Sequence, residues 1–94
     1  LWPEALYGRG ECARSKHDYT SATQFYERIY VLYGQHRSWV AKAYVARAEC
    51  LLRMHKSRKA QEVLNEMLAI EDLAEQPETK RAKELLDAIQ KRGG

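Results

Sequence analysis

The sequence predicts an all-α chain built as a stack of helix pairs, and three observations carry that reading. Residues 5–22 (ALYGRGECARSKHDYTSA) and 43–60 (AYVARAECLLRMHKSRKA) align without a gap at a spacing of 38, with identities at Ala5/Ala43, Arg9/Arg47, Glu11/Glu49, Cys12/Cys50, His17/His55 and Ala22/Ala60. A fixed period of this size marks a repeated supersecondary unit whose stability comes from stacking on its neighbours. Apolar residues recur at i, i+3, i+4 and i+7, and no stretch alternates with period two, so helices are expected and strands are not. Helix-start and helix-stop residues then divide the chain into five segments.

The first helix is predicted from Pro3 to about Lys16, because proline suits the first helical turn. Leu6, Gly10 and Ala13 form its inward stripe. Gly8 and Gly10 weaken it by about 1 kcal/mol each as an isolated helix, and their use is to let a neighbouring helix approach closely. The second helix takes Asp18 as N-cap and runs to Tyr33, with Gly34 as its C-terminal stop. Its stripe is Tyr19, Ala22, Phe25, Tyr26, Ile29, Leu32 and Tyr33, an aromatic row that reads as packing between units rather than as a ligand cage. The third runs from Ser38 as N-cap to about His55, burying Val40, Ala43, Tyr44, Ala48, Leu51 and Leu52. The fourth starts at Ser57 and ends near Ile70, burying Ala60, Val63, Leu64, Met67 and Leu68. A polar loop, Glu71 to Gln76, precedes the fifth, which Pro77 and Glu78 open and which reaches about Arg92. Its stripe of Ala82, Leu85, Leu86 and Ile89 opposes the charged face of Lys80, Lys83, Glu84, Asp87 and Lys91, as befits a helix that closes a stack. Gly93-Gly94 is expected to fray. The whole, 1–94, forms one domain: one unit over 3–34, a second over 38–70 and a closing helix over 77–92. A chain that starts at Leu1 without methionine is expected to be an excerpt of a longer protein.

Composition bounds the functions. Of 94 residues 45% are apolar and 31% charged, which is ordinary for a globular chain, and the net charge is +3 with a pI near 9.0. The basic residues are spread along the chain, apart from Lys80–Arg81 with Lys83 and Lys91–Arg92, so no nucleic-acid footprint is expected. No apolar run is long enough to span a bilayer, and no signal-peptide pattern is present. Cys12 and Cys50, at equivalent places in neighbouring helices, are expected to be small buried thiols. A disulfide needs Cα atoms within ~7 Å, whereas packed helix axes lie ~8–10 Å apart. No metal-ligand spacing and no cofactor motif occurs.

The helix pairs resemble tetratricopeptide (TPR) repeats. The small position of the first helix of each pair is Gly10 or Ala48, and the alanine of the second helix is Ala22 or Ala60. Tyr26 and Leu64, then Ile29 and Met67, match the next two positions of the pattern, and Tyr19 matches the aromatic that precedes. The departures are Leu6 and Tyr44 at the tryptophan position, no proline after the second helix, and a period four residues above the usual ~34. The phrases AxxFYxxIYxxYG…S and AKAYxARAEC are similar to the longer repeats of bacterial periplasmic TPR proteins, including outer-membrane-assembly lipoproteins and Tol–Pal-associated proteins. The resemblance implies a right-handed α-α superhelix of two TPR helix pairs plus a C-terminal capping helix. It also implies a bacterial origin and favours the periplasm or envelope over the cytoplasm.

The function implied by the resemblance is that of a protein–protein interaction module without catalysis, binding a peptide or a partner protein on the concave face lined by the first helix of each pair. His17 and His55 sit at the turn within each pair and are expected to cap the preceding helix, while His36 lies in a loop. No nucleophile recurs beside them, so no enzyme is expected. By the resemblance, the binding groove falls on Tyr7, Glu11 and Arg14 in the first unit and on Val45, Glu49, Leu52 and Arg53 in the second, with Lys83 and Asp87 continuing the row on the last helix. The alternative for Glu11 and Glu49 is an ion pair between units, answered by Arg14 or Arg53. Tyr7 and Glu11 stand where a carboxylate-clamp TPR would need Lys and Asn, so C-terminal carboxylate peptides of that kind are disfavoured. The second functional reading is structural: a segment of a longer solenoid, or a homodimer formed through Trp2, Trp39 and the tyrosine-rich helix.

Overall fold

The computed structural model describes residues 2–93, and among these the architecture is all-α with no strand. Five helices succeed one another: α1 Pro3–Ser15, α2 Tyr19–Leu32, α3 Arg37–Arg53, α4 Ser57–Leu68 and α5 Pro77–Lys91, with one 3-10 turn at Glu71–Leu73. Each helix packs on the next. α3 also touches α1 on one side and α5 on the other, so α1, α3 and α5 form one row and α2 and α4 lie against it. The Cα envelope measures 38 × 32 × 17 Å. Its thinnest dimension fits two layers of helices at ~8–10 Å spacing and excludes a third.

The sequence repeat becomes a structural one at the first turn of each pair. His17 and His55 adopt left-handed backbone, with φ of 62° and 60°. At the first turn the His17 N–H donates to the Arg14 carbonyl at 2.9 Å and the Asp18 N–H to the Ala13 carbonyl at 2.9 Å. The second turn repeats the pattern, from His55 to Leu52 at 3.0 Å and from Lys56 to Leu51 at 2.9 Å. These are the paired bonds of a Schellman motif, which satisfies carbonyls that the end of a helix leaves open. The two histidines therefore end their helices as expected, but through the backbone rather than through an imidazole facing the dipole. The His17 ring instead shares a 2.9 Å hydrogen bond with the Tyr19 hydroxyl. Histidine is among the residues enriched several-fold at positive φ.

Other helix ends differ from expectation. Gly34 is not left-handed; α2 stops at Leu32 and the Tyr33 N–H closes it on the Ile29 carbonyl at 2.8 Å. α3 begins at Arg37 with His36 as N-cap, so Ser38 is already helical and caps nothing. Asp18 does cap α2, its Oδ1 accepting from the Ser21 N–H at 3.2 Å, and that bond lowers its carboxyl below the usual range. The segment after α4 is less polar in role than in composition. Leu73 is buried, and the Thr79 hydroxyl donates to its carbonyl at 2.6 Å, pinning the 3-10 turn to the start of α5.

The core runs along the middle of the slab. Ala22, Ala48, Ala60 and Ala82 are fully covered, and these methyl-sized residues let neighbouring helices approach. Gly10 performs the same task more severely: a Cβ there would lie 2.5 Å from the Tyr26 ring. Gly8 does not; nothing lies within 4 Å of where its Cβ would be. α3 is buried well beyond its expected stripe, adding Ala41, Val45, Ala46 and Cys50, because it has neighbours on three sides. α2 is buried less: Ala22, Tyr26 and Ile29 are covered, while Phe25 is half-buried and Leu32 exposed. Cys12 is exposed whereas Cys50 is buried, which corrects the expectation of two buried thiols. Burial pushes the Cys50 thiol above its ordinary pKa.

The seam between the two units lies between α2 and α3. Tyr30 stacks on Tyr44 with ring centroids 3.9 Å apart and planes within 6° of parallel. Arg47 donates to the Tyr30 hydroxyl at 2.5 Å, and its other terminal nitrogen lies 3.8 Å from Glu27. Arg47 therefore faces α2, while Glu49, two residues on, faces the other way, as helical geometry requires.

Candidate functional site

The face formed by α1, α3 and α5 carries two features side by side. One is a ladder of charges. The Tyr26 hydroxyl donates to Glu11 Oε1. Arg14 lies 3.8 Å from Glu11 within α1 and donates to Glu49 Oε1 across to α3 at 3.0 Å. Arg81 donates to Glu49 Oε2 from α5 at 3.3 Å and lies 3.8 Å from Glu84. Glu49 is thus held between two guanidiniums from opposite neighbours, with 24% of its side chain exposed. Burial alone would lower the Arg14 guanidinium; the hydrogen bond and charge of Glu49 outweigh it and hold Arg14 above its ordinary pKa. Tyr26 is raised as well, by burial first and then by the bond it gives Glu11.

Beside the ladder lies a hollow of about 320 Å³, lined by Tyr7, Trp39, Val45, Ala46, Glu49 and the pair Lys42–Glu78. Lys42 Nζ donates to Glu78 Oε2 at 3.0 Å and ties α5 to α3 at the rim. The wall is aromatic. Tyr7 packs on Tyr26 with centroids 5.5 Å apart and on Trp39 at 5.6 Å, both tilted, which is a favoured arrangement for aromatic pairs. Burial raises the Tyr7 hydroxyl above its ordinary pKa, and Glu11 adds to that, so the group is a neutral donor at physiological pH.

The expected site residues divide accordingly. Tyr7, Val45 and Glu49 meet in the hollow, and Glu11 and Arg14 stand in the adjoining ladder. Leu52 lines a different hollow of about 350 Å³, with His55, Leu85 and Ile89. Arg53 is exposed on the last turn of α3. Lys83 is not part of this face: it lines a third hollow with Met67, Leu73 and Thr79. Arg81 takes its place in the row, because residues 78 and 81 of α5 both turn toward α3, and a residue two further on points elsewhere. Lys42, Ala46, Glu78 and Arg81 are not among the groove residues expected from the sequence, and Trp39 is expected at a dimer contact instead. The spacing Trp39, Lys42, Ala46, Glu49 is one helical stripe and was available; Glu78 and Arg81 needed the angle at which α5 crosses α3.

Three more side chains bear on chemistry. His17 is occupied by Tyr19, His36 lies edge-on to Tyr33 with centroids 5.9 Å apart, and His55 lines the hollow at the end of α5. Among the described residues no three His, Cys, Asp or Glu side chains are grouped to hold a metal ion, and no helix is long and apolar enough to cross a membrane. Compared with protein-family models, with curated proteins and with solved structures, the chain matches none.

Proposed function

We propose that this chain is a non-catalytic interaction module of the TPR kind, a right-handed stack of two helix pairs and a closing helix, and that it binds a peptide or a partner protein across α1, α3 and α5. The observation that carries the reading is the hollow between those helices, which presents Tyr7, Trp39 and Val45 beside the paired Lys42 and Glu78. Aromatic side chains around a central pocket are what protein interfaces use as energetic anchors. The TPR reading is supported by the Gly10–Tyr26 approach, by complete burial of Ala22 and Ala60, and by two turns of one geometry 38 residues apart.

The ladder changes which residues would do the binding. Glu49 already accepts from Arg14 and Arg81, so the ion-pair alternative for this residue describes its surroundings. Its partners set the register of the three helices. An incoming peptide would place an apolar side chain against Tyr7, Trp39 and Val45 and meet charge at the Lys42–Glu78 rim.

Peptides selected from a random displayed library against the whole chain test this. Against the variant Trp39→Ser with Lys42→Ala, their affinity should fall by at least about tenfold, a loss typical of removing one anchor. Arg53→Ala should leave it unchanged, and thermal melts should show all three chains folded. Selected peptides that bind the double variant as tightly as the parent would place the site elsewhere.

A further inference from the structure

We propose that the hollow between α1, α3 and α5 is a cation site, and that the side chain it takes from a bound peptide is an arginine. The proposal rests on the reading of this hollow as the peptide site and names what enters it. Two carboxylates, Glu49 and Glu78, line the hollow against one ammonium, Lys42, and the Tyr7 and Trp39 rings form an aromatic corner. Glu49 is already held by Arg14 and Arg81. Glu78 is not saturated: its Oε2 accepts from Lys42 at 3.0 Å, while its Oε1 is buried with no hydrogen-bond partner among the described residues. An acceptor in that state has given up water and gained nothing in return, which a bound donor corrects. The last torsion of a glutamate is soft, so either oxygen can be turned toward the hollow. The local field has the matching sign. Burial does most to raise the Tyr7 hydroxyl, and Glu11, Glu49 and Glu78 raise it further while Arg14 acts against them.

Other side chains leave part of this chemistry unused. A leucine or phenylalanine suits the aromatic corner but offers no donor to Glu78. An aspartate or glutamate meets like charge. A lysine brings charge as a compact, strongly hydrated ammonium, which gains less from aromatic faces. An arginine answers every feature at once. Its planar guanidinium stacks on aromatic rings, and its fork of N–H groups can serve one carboxylate oxygen while another donor holds the second. Its methylene stem lies on the apolar floor made by Val45 and Ala46, both buried, and supplies the apolar contact with Tyr7 and Trp39. At about 320 Å³ the hollow is at the small end of the range for ligand pockets, a size for one long side chain. Lys42 holds the Glu78 carboxylate at the rim, where the guanidinium of such a side chain arrives.

Peptides selected from the displayed library against the whole chain are the probe. Among those that Trp39→Ser weakens, one arginine should be required. Replacing it by citrulline, its neutral isostere, should weaken binding to the parent chain by at least about tenfold, the loss of one charge-assisted anchor. On the Glu78→Gln chain, which keeps the size of the side chain and removes its charge, the same replacement should cost less than about threefold. That preference is a difference between two peptides on one chain, so a general loosening of the fold does not mimic its loss. Thermal melts check that Glu78→Gln is folded, and the citrulline comparison on the parent chain stands without it. The proposal is overturned by peptides that bind the hollow and carry no arginine, by citrulline or lysine binding as tightly as arginine, or by an arginine preference that survives Glu78→Gln unchanged. In each of those outcomes the hollow still binds peptides. Peptides indifferent to Trp39→Ser, or a library that yields no binder, would overturn the peptide site itself and this proposal with it.

Discussion

Ala5 is exposed and Ala43 buried; Gly8 opens onto space and Ala46 is packed; Cys12 can be reached and Cys50 cannot. These are equivalent positions in two copies of one helix. Their side chains are the same or nearly so, and the local backbone ends in the same left-handed turn. The difference is what lies next to them. Among the described residues α3 packs on α2, whereas no described helix packs on the matching face of α1. In a stacked repeat each unit buries one face on its predecessor and one on its successor, so an amino acid's energetic weight depends on its place in the stack as much as on its identity.

The sharpest way to break that comparison is to make one substitution in both places. Ala43→Arg drives a long cation into the α2–α3 seam, where Ala43 is wholly covered, and should cost about 4 kcal/mol or more, enough to unfold a domain of this size. Ala5→Arg should change stability by no more than about 0.5 kcal/mol, as surface substitutions do. Urea unfolding of the two variants side by side gives the contrast directly. Equal effects would mean that the outer face of α1 is covered.

A smaller effect sharpens the comparison inside each pair. The first unit sets Gly10 against Tyr26, and the second has Ala48 and Leu64 at the same two positions. Gly10→Ala should destabilise although alanine is the better helix former. The ring must move away from a Cβ that would sit 2.5 Å from it, and overpacking costs about 1–3 kcal/mol against a helix gain of about 1 kcal/mol. Adding Tyr26→Leu, which copies the second unit, should remove most of the Gly10→Ala penalty. A double-mutant cycle with no coupling would show that the two positions do not constrain each other.

The smallest effect is in alkaline solution and belongs to the α2–α3 seam, since α4 has Leu68 where α2 has Tyr30. Burial pushes the Tyr30 hydroxyl up to about 12, against an opposing pull from Arg47, and Tyr26 and Tyr44 are raised in the same direction, also by burial first. In the unfolded chain a tyrosine ionises near ~10. Below that pH the hydroxyl is neutral in both states and its contribution is intact. As pH rises from about 10 to 12 the unfolded chain loses protons that the native one keeps, so stability falls. Urea midpoints should therefore drop over that window, and Tyr30→Phe should flatten part of the drop. A midpoint that stays level from pH 9 to 12 would refute the assignment.

Much of this architecture is legible in the order of the residues. Pro3, Asp18 and Pro77 mark true helix starts, and the expected stripe of α5, Ala82, Leu85, Leu86 and Ile89, is buried, with Thr79 joining it. The differences from expectation have two causes. Gly34 and Ser38 have stop and start propensities, but hydrogen bonding by Tyr33 and His36 decided those ends. Leu32 lies on a stripe that is apolar by pattern and Cys12 at an expected packing position, yet both are exposed, and Phe25 is only half-buried. Periodicity says which residues share a face; it is silent on whether anything packs against that face.

By itself, then, the sequence determined the five helices and their order, because spacing at 3.6 residues per turn acts locally. Tertiary structure alone decided the crossing of α5 over α3, which brings Arg81 rather than Lys83 to Glu49 and closes the hollow with Lys42–Glu78. It also decided which of two equivalent faces is buried. Both depend on contacts between residues on different helices, 32 and 36 positions apart where α5 meets α3 and 17 apart where Arg47 meets Tyr30, whose distances are set by the packing of whole helices and not by any local preference of the chain.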